Sequence, residues 1–167
     1  MRISVEPVAP SHYESLVDLL LELHAFYVSP ATASRADVRS HLLDNLIPQV
    51  GLCLPVAFDE NDQVLGFAAL VLMHSLVESG PKNCRQCLLK ELYVRSGCRS
   101  GGVGRLLVQW SANYALNSGC GRMDWNVKAS NLQGISFYRS LGGQHVEDRI
   151  SFRFSGETLA HLARGVA

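Results

Sequence analysis

A glycine-rich turn between a predicted strand and a predicted helix constrains the fold of this chain most. The turn is Arg99-Ser-Gly-Gly-Val-Gly104, here called the glycine turn, and the apolar segment Cys87–Val94 before it is typical of a short strand. After it, apolar residues follow at helical spacing until the stop signal Asn117-Ser-Gly119. Backbone N–H groups in such a turn point at one spot, and the helix dipole adds partial positive charge there. The sequence therefore predicts a phosphate or pyrophosphate site.

Hydrophobic spacing predicts alternating helices and strands along the chain. Ser11-His-Tyr-Glu14 has the pattern of a capping box and opens a helix that runs to Tyr27, and a second helix covers Asp37 to Leu46. Later helices are predicted after Gly104, from Leu132 to Leu141 and from Glu157 to Ala163, the last capped by Ser155. Strands are predicted at Ile3–Val5, Leu54–Phe58, Val64–His74, Cys87–Val94 and Arg122–Val127, with a final pair near Gln144–Phe154. This order predicts an α/β (α+β) fold in one domain, residues 1–167.

Composition excludes several classes of partner. The 167 residues are 47% hydrophobic, and 15 basic residues balance 15 acidic ones without a long block of either sign. A nucleic-acid-binding protein usually has a basic surface, so no nucleic-acid partner is expected. The longest apolar stretch, Val64 to Met73, is too short to cross a bilayer, and Met1–Pro7 lacks the apolar run of a signal peptide. We expect a cytoplasmic protein with no membrane partner.

The five cysteines predict neither a disulfide framework nor a metal site. Cys84-Arg-Gln-Cys87 has CxxC spacing, but structural zinc requires four ligands and no second such pair follows. The pair is predicted in a loop before a strand, whereas an activated redox thiol usually lies at a helix N-terminus. These residues are interpreted as ordinary thiols, and no metal is expected.

The glycine turn differs from two common nucleotide-binding loops. A Walker A loop needs Lys followed by Ser or Thr after its last glycine, and here Arg105 and Leu106 follow Gly104. A Rossmann turn needs a small residue where this chain has Leu107. The remaining pattern, Arg99-x-x-Gly102-x-Gly104, resembles the coenzyme A pyrophosphate motif of the GNAT acetyltransferase superfamily.

A second segment resembles the same superfamily. Trp125-x-Val127 ends a predicted strand, Asn131 follows, and Phe137-Tyr138 precedes Gly142-Gly143. The resemblance spans roughly residues 53 to 154. It implies the GNAT fold, in which helices flank a central mixed, mostly antiparallel sheet that splays between its fourth and fifth strands.

The resemblance also implies acetyl-CoA as cosubstrate. The backbone of Leu92, Tyr93 and Val94 would bind its pantetheine arm, while Arg99 adds charge and Asn131 reaches the coenzyme as well as capping its helix. The pyrophosphate would lie over the amides of Ser100, Gly101, Gly102, Val103, Gly104 and Arg105.

Within the superfamily, the chain is most similar to the spermidine/spermine and thialysine N-acetyltransferase branch. The similarity lies in Trp125-x-Val127 with Asn131, in Phe137–Gly142, and in Ile150–Phe154 followed by a helix. The chain departs from the branch at Lys90, often acidic there, and at Ser130. The resemblance therefore implies acetyl transfer to a primary amine of a small molecule, without fixing which amine. A homodimer, common in the branch, is also implied.

The chemistry needs a group that deprotonates the amine and one that protonates the leaving thiolate, because a free alkylamine with a pKa near 10 is mostly protonated at pH 7. Tyr138 matches the family's general acid. Glu91, predicted on the same strand face as Leu89 and Tyr93, is the candidate base or cation-binding group. Glu22 and His24 either line the acceptor pocket or face solvent.

Two alternatives to this function remain. One is a protein or peptide acetyltransferase, and the other is a module that binds acyl-CoA as a sensor without turnover. Tyr138 favours an enzyme, because a sensor needs no general acid. With no cysteine placed for a covalent intermediate, direct attack in a ternary complex is predicted.

Overall fold

The structure, a computed structural model, describes residues 2–81 and 83–165. The chain divides into two units, Met1–Asn126 and Val127–Ala167. The first unit contains the sheet and three of the helices, and the second contains two further helices. The single-domain assignment stays a prediction.

A six-stranded mixed sheet forms the centre of the first unit. The strands are β1 (Ser4–Pro7), β2 (Leu52–Cys53), β3 (Pro55–Phe58), β4 (Val64–His74), β5 (Arg85–Val94) and β6 (Cys120–Asp124). Their order is β1-β3-β4-β5-β6, with β2 also paired to β4. All pairs are antiparallel except β5 with β6, which are parallel. The predicted mostly antiparallel α/β sheet is confirmed.

The structure describes five α-helices. They are α1 (Tyr13–Tyr27), α2 (Arg35–His41), α3 (Val103–Asn117), α4 (Leu132–Ser140) and α5 (Gly156–Ala163), and a π-helical turn, Leu42–Leu46, extends α2. Leu16, Leu19 and Leu42 are buried in one cluster with residues of the sheet, and Val103 and Leu107 are buried in another. None of the described helices combines the length and apolar content needed to cross a bilayer.

Pairing between β5 and β6 stops halfway along β5. The register runs from Arg85 opposite Cys120 to Leu88 opposite Asp124. Beyond that point, in the described chain, Leu89–Val94 of β5 has strand pairing with β4 alone. β5 and β6 correspond to the predicted fourth and fifth strands, because the short β2 adds one to the numbering. The predicted splay is confirmed, and it leaves one edge of β5 available beside the glycine turn.

The predicted capping box at Ser11–Glu14 is wrong. A short 3-10 turn, Pro10–His12, precedes α1, and the His12 Nδ1 accepts from the Ala9 amide at 3.2 Å. Pro10 opens this turn because its fixed φ and missing N–H suit a first helical position. A capping box does form at α2, where the Asp37 amide donates to the Ser34 hydroxyl and the Ser34 amide donates back to the Asp37 carboxylate.

The predicted strand pair near Gln144–Phe154 is also wrong, because the described residues there form no strand. The pattern that suggested it is present, since Ile150, Phe152 and Phe154 alternate with polar residues. These three side chains are 81%, 90% and 59% exposed. An alternating sequence forms a strand only where a partner edge satisfies its backbone groups. The segment has no such hydrogen-bonded edge in the described chain.

Candidate active site

The glycine turn has the backbone shape of an anion-binding loop. Gly102 is the N-cap of α3, with φ of +86°, and Ser100 also has a positive φ, of 64°. Left-handed residues on either side of Gly101 turn successive amides into one concave surface, which attracts anions. Ser100, Gly101 and Gly102 are exposed, and a Cβ built on Gly102 meets no heavy atom within 4 Å. The turn therefore fits a phosphate group, at the end of a helix whose dipole favours negative charge.

Gly66 allows α3 to approach the sheet closely. A Cβ on Gly66 would lie 2.9 Å from the Tyr93 carbonyl oxygen and 3.1 Å from a Leu107 methyl carbon. Any larger residue would push α3 away from β4 and β5. This contact fixes the glycine turn beside the carboxyl end of β5, and the sequence alone carried no sign of it.

Arg99 is held at the end of β5 by its neighbours. Its Nε donates to the Val94 carbonyl at 3.1 Å, and its guanidinium carbon lies 5.4 Å from the Tyr93 ring centroid and 5.9 Å from that of Phe26. Both distances are in the range of cation–π attraction. Arg99 thus places a positive charge at the start of the glycine turn, and its role toward a pyrophosphate stays a prediction. Arg105, in the first turn of α3, is exposed.

Glu22 connects α1 to the segment before the glycine turn. Its carboxylate accepts from the Ser96 amide at 2.8 Å and from the Tyr93 hydroxyl at 3.1 Å, and Arg95 lies 3.8 Å away. Burial is the largest single influence on the Glu22 pKa and raises it. The bonds from Ser96 and Tyr93, with the charge of Arg95, together outweigh burial and lower the pKa below its ordinary value of 4.5. Glu22 is therefore an ionised anchor.

A bulge in β5 decides where Glu91 points. Leu89 pairs with Leu70 and Glu91 pairs with Ala69, so Lys90 is an extra residue without its own partner on β4. Directly opposite residues share a face, and the adjacent Leu70 and Ala69 face opposite sides. Glu91 therefore shares its face with Tyr93 but not with Leu89, which corrects the sequence-based expectation. The bulge turns Glu91 toward α1 and α2.

A cavity of about 530 Å³ lies on that face of the sheet. Glu91 lines it, and the Tyr27 hydroxyl at the end of α1 donates to the Glu91 carboxylate at 3.2 Å. Burial, followed by the nearby negative charge of Glu91, raises the pKa of Tyr27. The volume is within the usual range for a small-molecule pocket.

His24 lines this cavity, whereas Glu22 is not among its lining residues. The His24 Nε2 accepts from the amides of Thr32 and Ala33 at 3.1 and 3.2 Å. This bonding requires an unprotonated Nε2 and fixes the chain between α1 and α2. Of the two predicted acceptor residues, His24 lies at the cavity, and Glu22 lies outside it and bonds to the segment before the glycine turn. Their substrate roles stay predictions.

Asn131 and Tyr138 belong to the second unit. Asn131 is the N-cap of α4, and its Oδ1 accepts from the Gly134 amide at 2.9 Å. Tyr138 lies in the last turns of α4, half-buried, with its ring edge-on to Phe137 at 5.1 Å. The cap proposed for Asn131 is confirmed, and the catalytic role of Tyr138 stays a prediction.

The CxxC pair shows no sign of an activated thiol. Cys84 precedes β5, Cys87 lies inside that strand, and both cysteines are free. Burial, with smaller effects from Cys120 and Cys53, raises the pKa of Cys87 to about 11. Such a thiol is protonated and unreactive at neutral pH. Within residues 2–81 and 83–165, no group of three or more His, Cys, Asp or Glu side chains is placed to hold a metal ion.

Residues 17–142 match the sequence model of the acetyltransferase (GNAT) family. Among curated proteins, thialysine N-epsilon-acetyltransferase from Mus musculus is 38% identical over 87 residues, which cover 47% of this chain and 48% of that protein. The chain thus spans about half the length of the curated relative it matches.

Solved structures match over nearly the whole chain. An integron cassette protein from the mobile metagenome of V. cholerae has a TM-score of 0.87 and 28% identity, covering 98% of this chain and 99% of that one. An aminoglycoside N-acetyltransferase, AAC(6')-Iy, in complex with CoA has a TM-score of 0.73 and 18% identity, covering 92% and 95%. The second likeness establishes a shared fold.

Proposed function

We propose, because this chain belongs to the acetyltransferase (GNAT) family, that it transfers the acetyl group of acetyl-CoA to a primary amine of a small molecule. One observation carries the proposal. The same strand, β5, supplies Glu91 to the cavity, has no pairing with β6 beyond Leu88 in the described chain, and leads into the exposed glycine turn. On this proposal, the donor site and the acceptor site would meet along a few residues of one strand.

The glycine turn and β5 would hold the coenzyme. The amides of Ser100 to Arg105 would face its pyrophosphate, and Arg99 would add a positive charge beside them. The backbone groups of Leu92, Tyr93 and Val94 on the β6 side would bond to an extended amide-containing chain in the way that a further strand would. Bound acetyl-CoA would supply the activated acetyl thioester.

Glu91 would hold and deprotonate the acceptor. An amine arrives as an ammonium ion at neutral pH, because its pKa is near 10. The Glu91 carboxylate lines the cavity and can bind that cation, with the Tyr27 hydroxyl orienting the carboxylate. Glu91 then receives the ammonium proton, directly or through water, so that the nitrogen becomes a nucleophile.

Tyr138 would act at the other end of the reaction. Its Oη carries a proton that the departing thiolate needs, and the usual pKa values of a phenol and a thiol lie within about two units of each other. Asn131 would bind the coenzyme with its amide nitrogen, because its Oδ1 already caps α4. We further propose direct transfer in a ternary complex, a cytoplasmic location and a homodimer.

The test is an assay of free-thiol release from acetyl-CoA against polyamines, amino acids, aminoglycosides, simple alkylamines and peptides, with mass spectrometry of each amine. Amine-dependent thiol release with a matching acetylated product supports the proposal. Acetylation of peptides alone would favour a protein acetyltransferase. Tight binding of acetyl-CoA without release across the whole panel would favour a sensor and overturn the proposal.

A further inference from the structure

The composition of the cavity walls limits the class of amine that can be the acceptor. We infer, resting on the proposed acetyltransferase function, that the preferred acceptor is a monoamine with an apolar body, and that Lys90 excludes amines with a second positive charge. Neither the family assignment nor the named relatives fixes this choice.

The walls of the cavity are largely aliphatic. Side chains from α1, α2 and the strands line it, among them Leu16, Leu20, Leu23, Val38, Leu54 and Phe67. Leu16 and Phe67 are only 1% and 3% exposed, whereas Leu20 and Leu23 are half-buried, so Leu20 and Leu23 present more of the apolar surface that a ligand can reach. A hydroxyl or ammonium group placed against them would lose its hydration without gaining a hydrogen bond. An alkyl or aryl group would be stabilised there instead.

Two carboxylates line the cavity, Glu91 on β5 and Asp37 at the start of α2. The Glu91 carboxylate projects from the sheet wall. The other carboxylate, Asp37, uses its Oδ2 to accept from both the amide and the hydroxyl of Ser34 at the start of α2. His24 uses its Nε2 to hold the amides of the loop before α2. Asp37 and His24 thus stabilise the segment before α2. Glu91, which accepts from the Tyr27 hydroxyl, lies instead on the strand that leads to the glycine turn, where it is placed to bind the reacting ammonium.

Lys90 adds a positive charge to the same cavity. It is the bulge residue next to Glu91, it lines the cavity, and its side chain is exposed. An ammonium bound at Glu91 neutralises that carboxylate, so a second ammonium near it on the same molecule would be repelled by the neighbouring Lys90. Like charges in the same cavity repel each other, and a neutralised Glu91 no longer offsets the charge of Lys90. Diamines and polyamines are therefore disfavoured.

The test uses three acceptors with the same number of heavy atoms. They are n-hexylamine, 5-amino-1-pentanol and 1,5-diaminopentane, which end in a methyl, a hydroxyl and an ammonium group. For the wild-type protein we expect kcat/KM to fall in that order, with hexylamine at least about tenfold above the diamine. Calorimetric binding of the same three amines should follow the same order, and this readout does not depend on turnover.

Charge reversal at Lys90 separates the repulsion from the apolar preference. In Lys90→Glu the ratio of kcat/KM for the diamine to that for hexylamine should rise about tenfold or more. In Lys90→Gln this ratio should lie between the values for the wild type and Lys90→Glu. Arg2→Glu makes the same change in net charge at an exposed residue that does not line the cavity, and it should leave the ratio unchanged.

The outcomes distinguish this inference from the function on which it rests. If hexylamine binds more tightly than the diamine but no amine is acetylated, the proposed function fails and the inferred selectivity of the cavity stands. If the wild type acetylates or binds the diamine as well as hexylamine, the inference is overturned. The inference is also overturned if the ratio of kcat/KM for the diamine to that for hexylamine is the same in Lys90→Glu as in Arg2→Glu.

Discussion

Replacing Gly102 by alanine tests whether the glycine turn binds an anion or only begins a helix. Gly102 has a φ of +86°, a left-handed conformation that costs a residue with a Cβ about 1–2 kcal/mol. The new Cβ meets no heavy atom within 4 Å, so backbone strain is the whole cost to the free protein. We expect Gly102→Ala to fold and to lose about 1–2 kcal/mol of unfolding free energy.

Gly119 offers a matched control at the opposite end of the same helix. Its φ is +76°, and a Cβ there also meets nothing within 4 Å. Gly119→Ala should therefore suffer a similar loss of stability. Only at Gly102 would the added methyl group point into the concave surface that is expected to bind the pyrophosphate.

The assay is denaturation with and without coenzyme A. At a coenzyme concentration one hundred times the Kd, binding stabilises the folded protein by about 2.7 kcal/mol. Wild type and Gly119→Ala should show this gain, and Gly102→Ala should show little or none. If Gly102→Ala binds coenzyme A as tightly as Gly119→Ala, the turn does not hold the pyrophosphate and the reasoning is refuted.

Three further substitutions test individual groups. Tyr138→Phe should lower kcat by about ten- to a hundredfold while acetyl-CoA binding persists, and an unchanged kcat would remove Tyr138 from the mechanism. Glu91→Gln should lower kcat/KM for the amine by about tenfold or more and leave the KM for acetyl-CoA unaltered, because the lost charge faces the acceptor. Glu22→Gln should cost about 1 kcal/mol of unfolding free energy at pH 7. Because the pKa of Glu22 is lowered in the folded state, the loss of unfolding free energy should be complete above pH 4.5, the ordinary pKa of the group. The loss should vanish as the pH falls through the lower pKa of the folded state. A loss that does not depend on pH would contradict the anchoring role.

The sequence predicted those parts of the site that depend on local chemistry. Glycines, a following apolar helical pattern and an Arg at fixed spacing defined the turn, and α3 begins at Val103 within it. Asn131 was predicted as a helix cap because its side chain suits that position, and it caps α4. Such features need only a few neighbouring residues, so they can be inferred without the fold.

Features that depend on pairing between distant segments were missed or misplaced. The bulge at Lys90 is a property of the register between β4 and β5, and it moved Glu91 to the opposite face from Leu89. The cavity needs α1, α2 and three strands together, so no spacing in the sequence marks it. At Ile150–Phe154 the sequence predicted a feature that is not formed. Its alternating pattern predicted a strand, but in the described chain the segment has no partner edge to pair with.

Initial rates of thiol release, with acetyl-CoA and n-hexylamine both varied, test the central claim most directly. Direct transfer in a ternary complex predicts release that depends on the amine and double-reciprocal plots that intersect. Parallel plots would indicate a covalent acetyl-enzyme and contradict direct attack. Release that never depends on an amine, from a protein that binds acetyl-CoA, would contradict the assignment of an amine acetyltransferase.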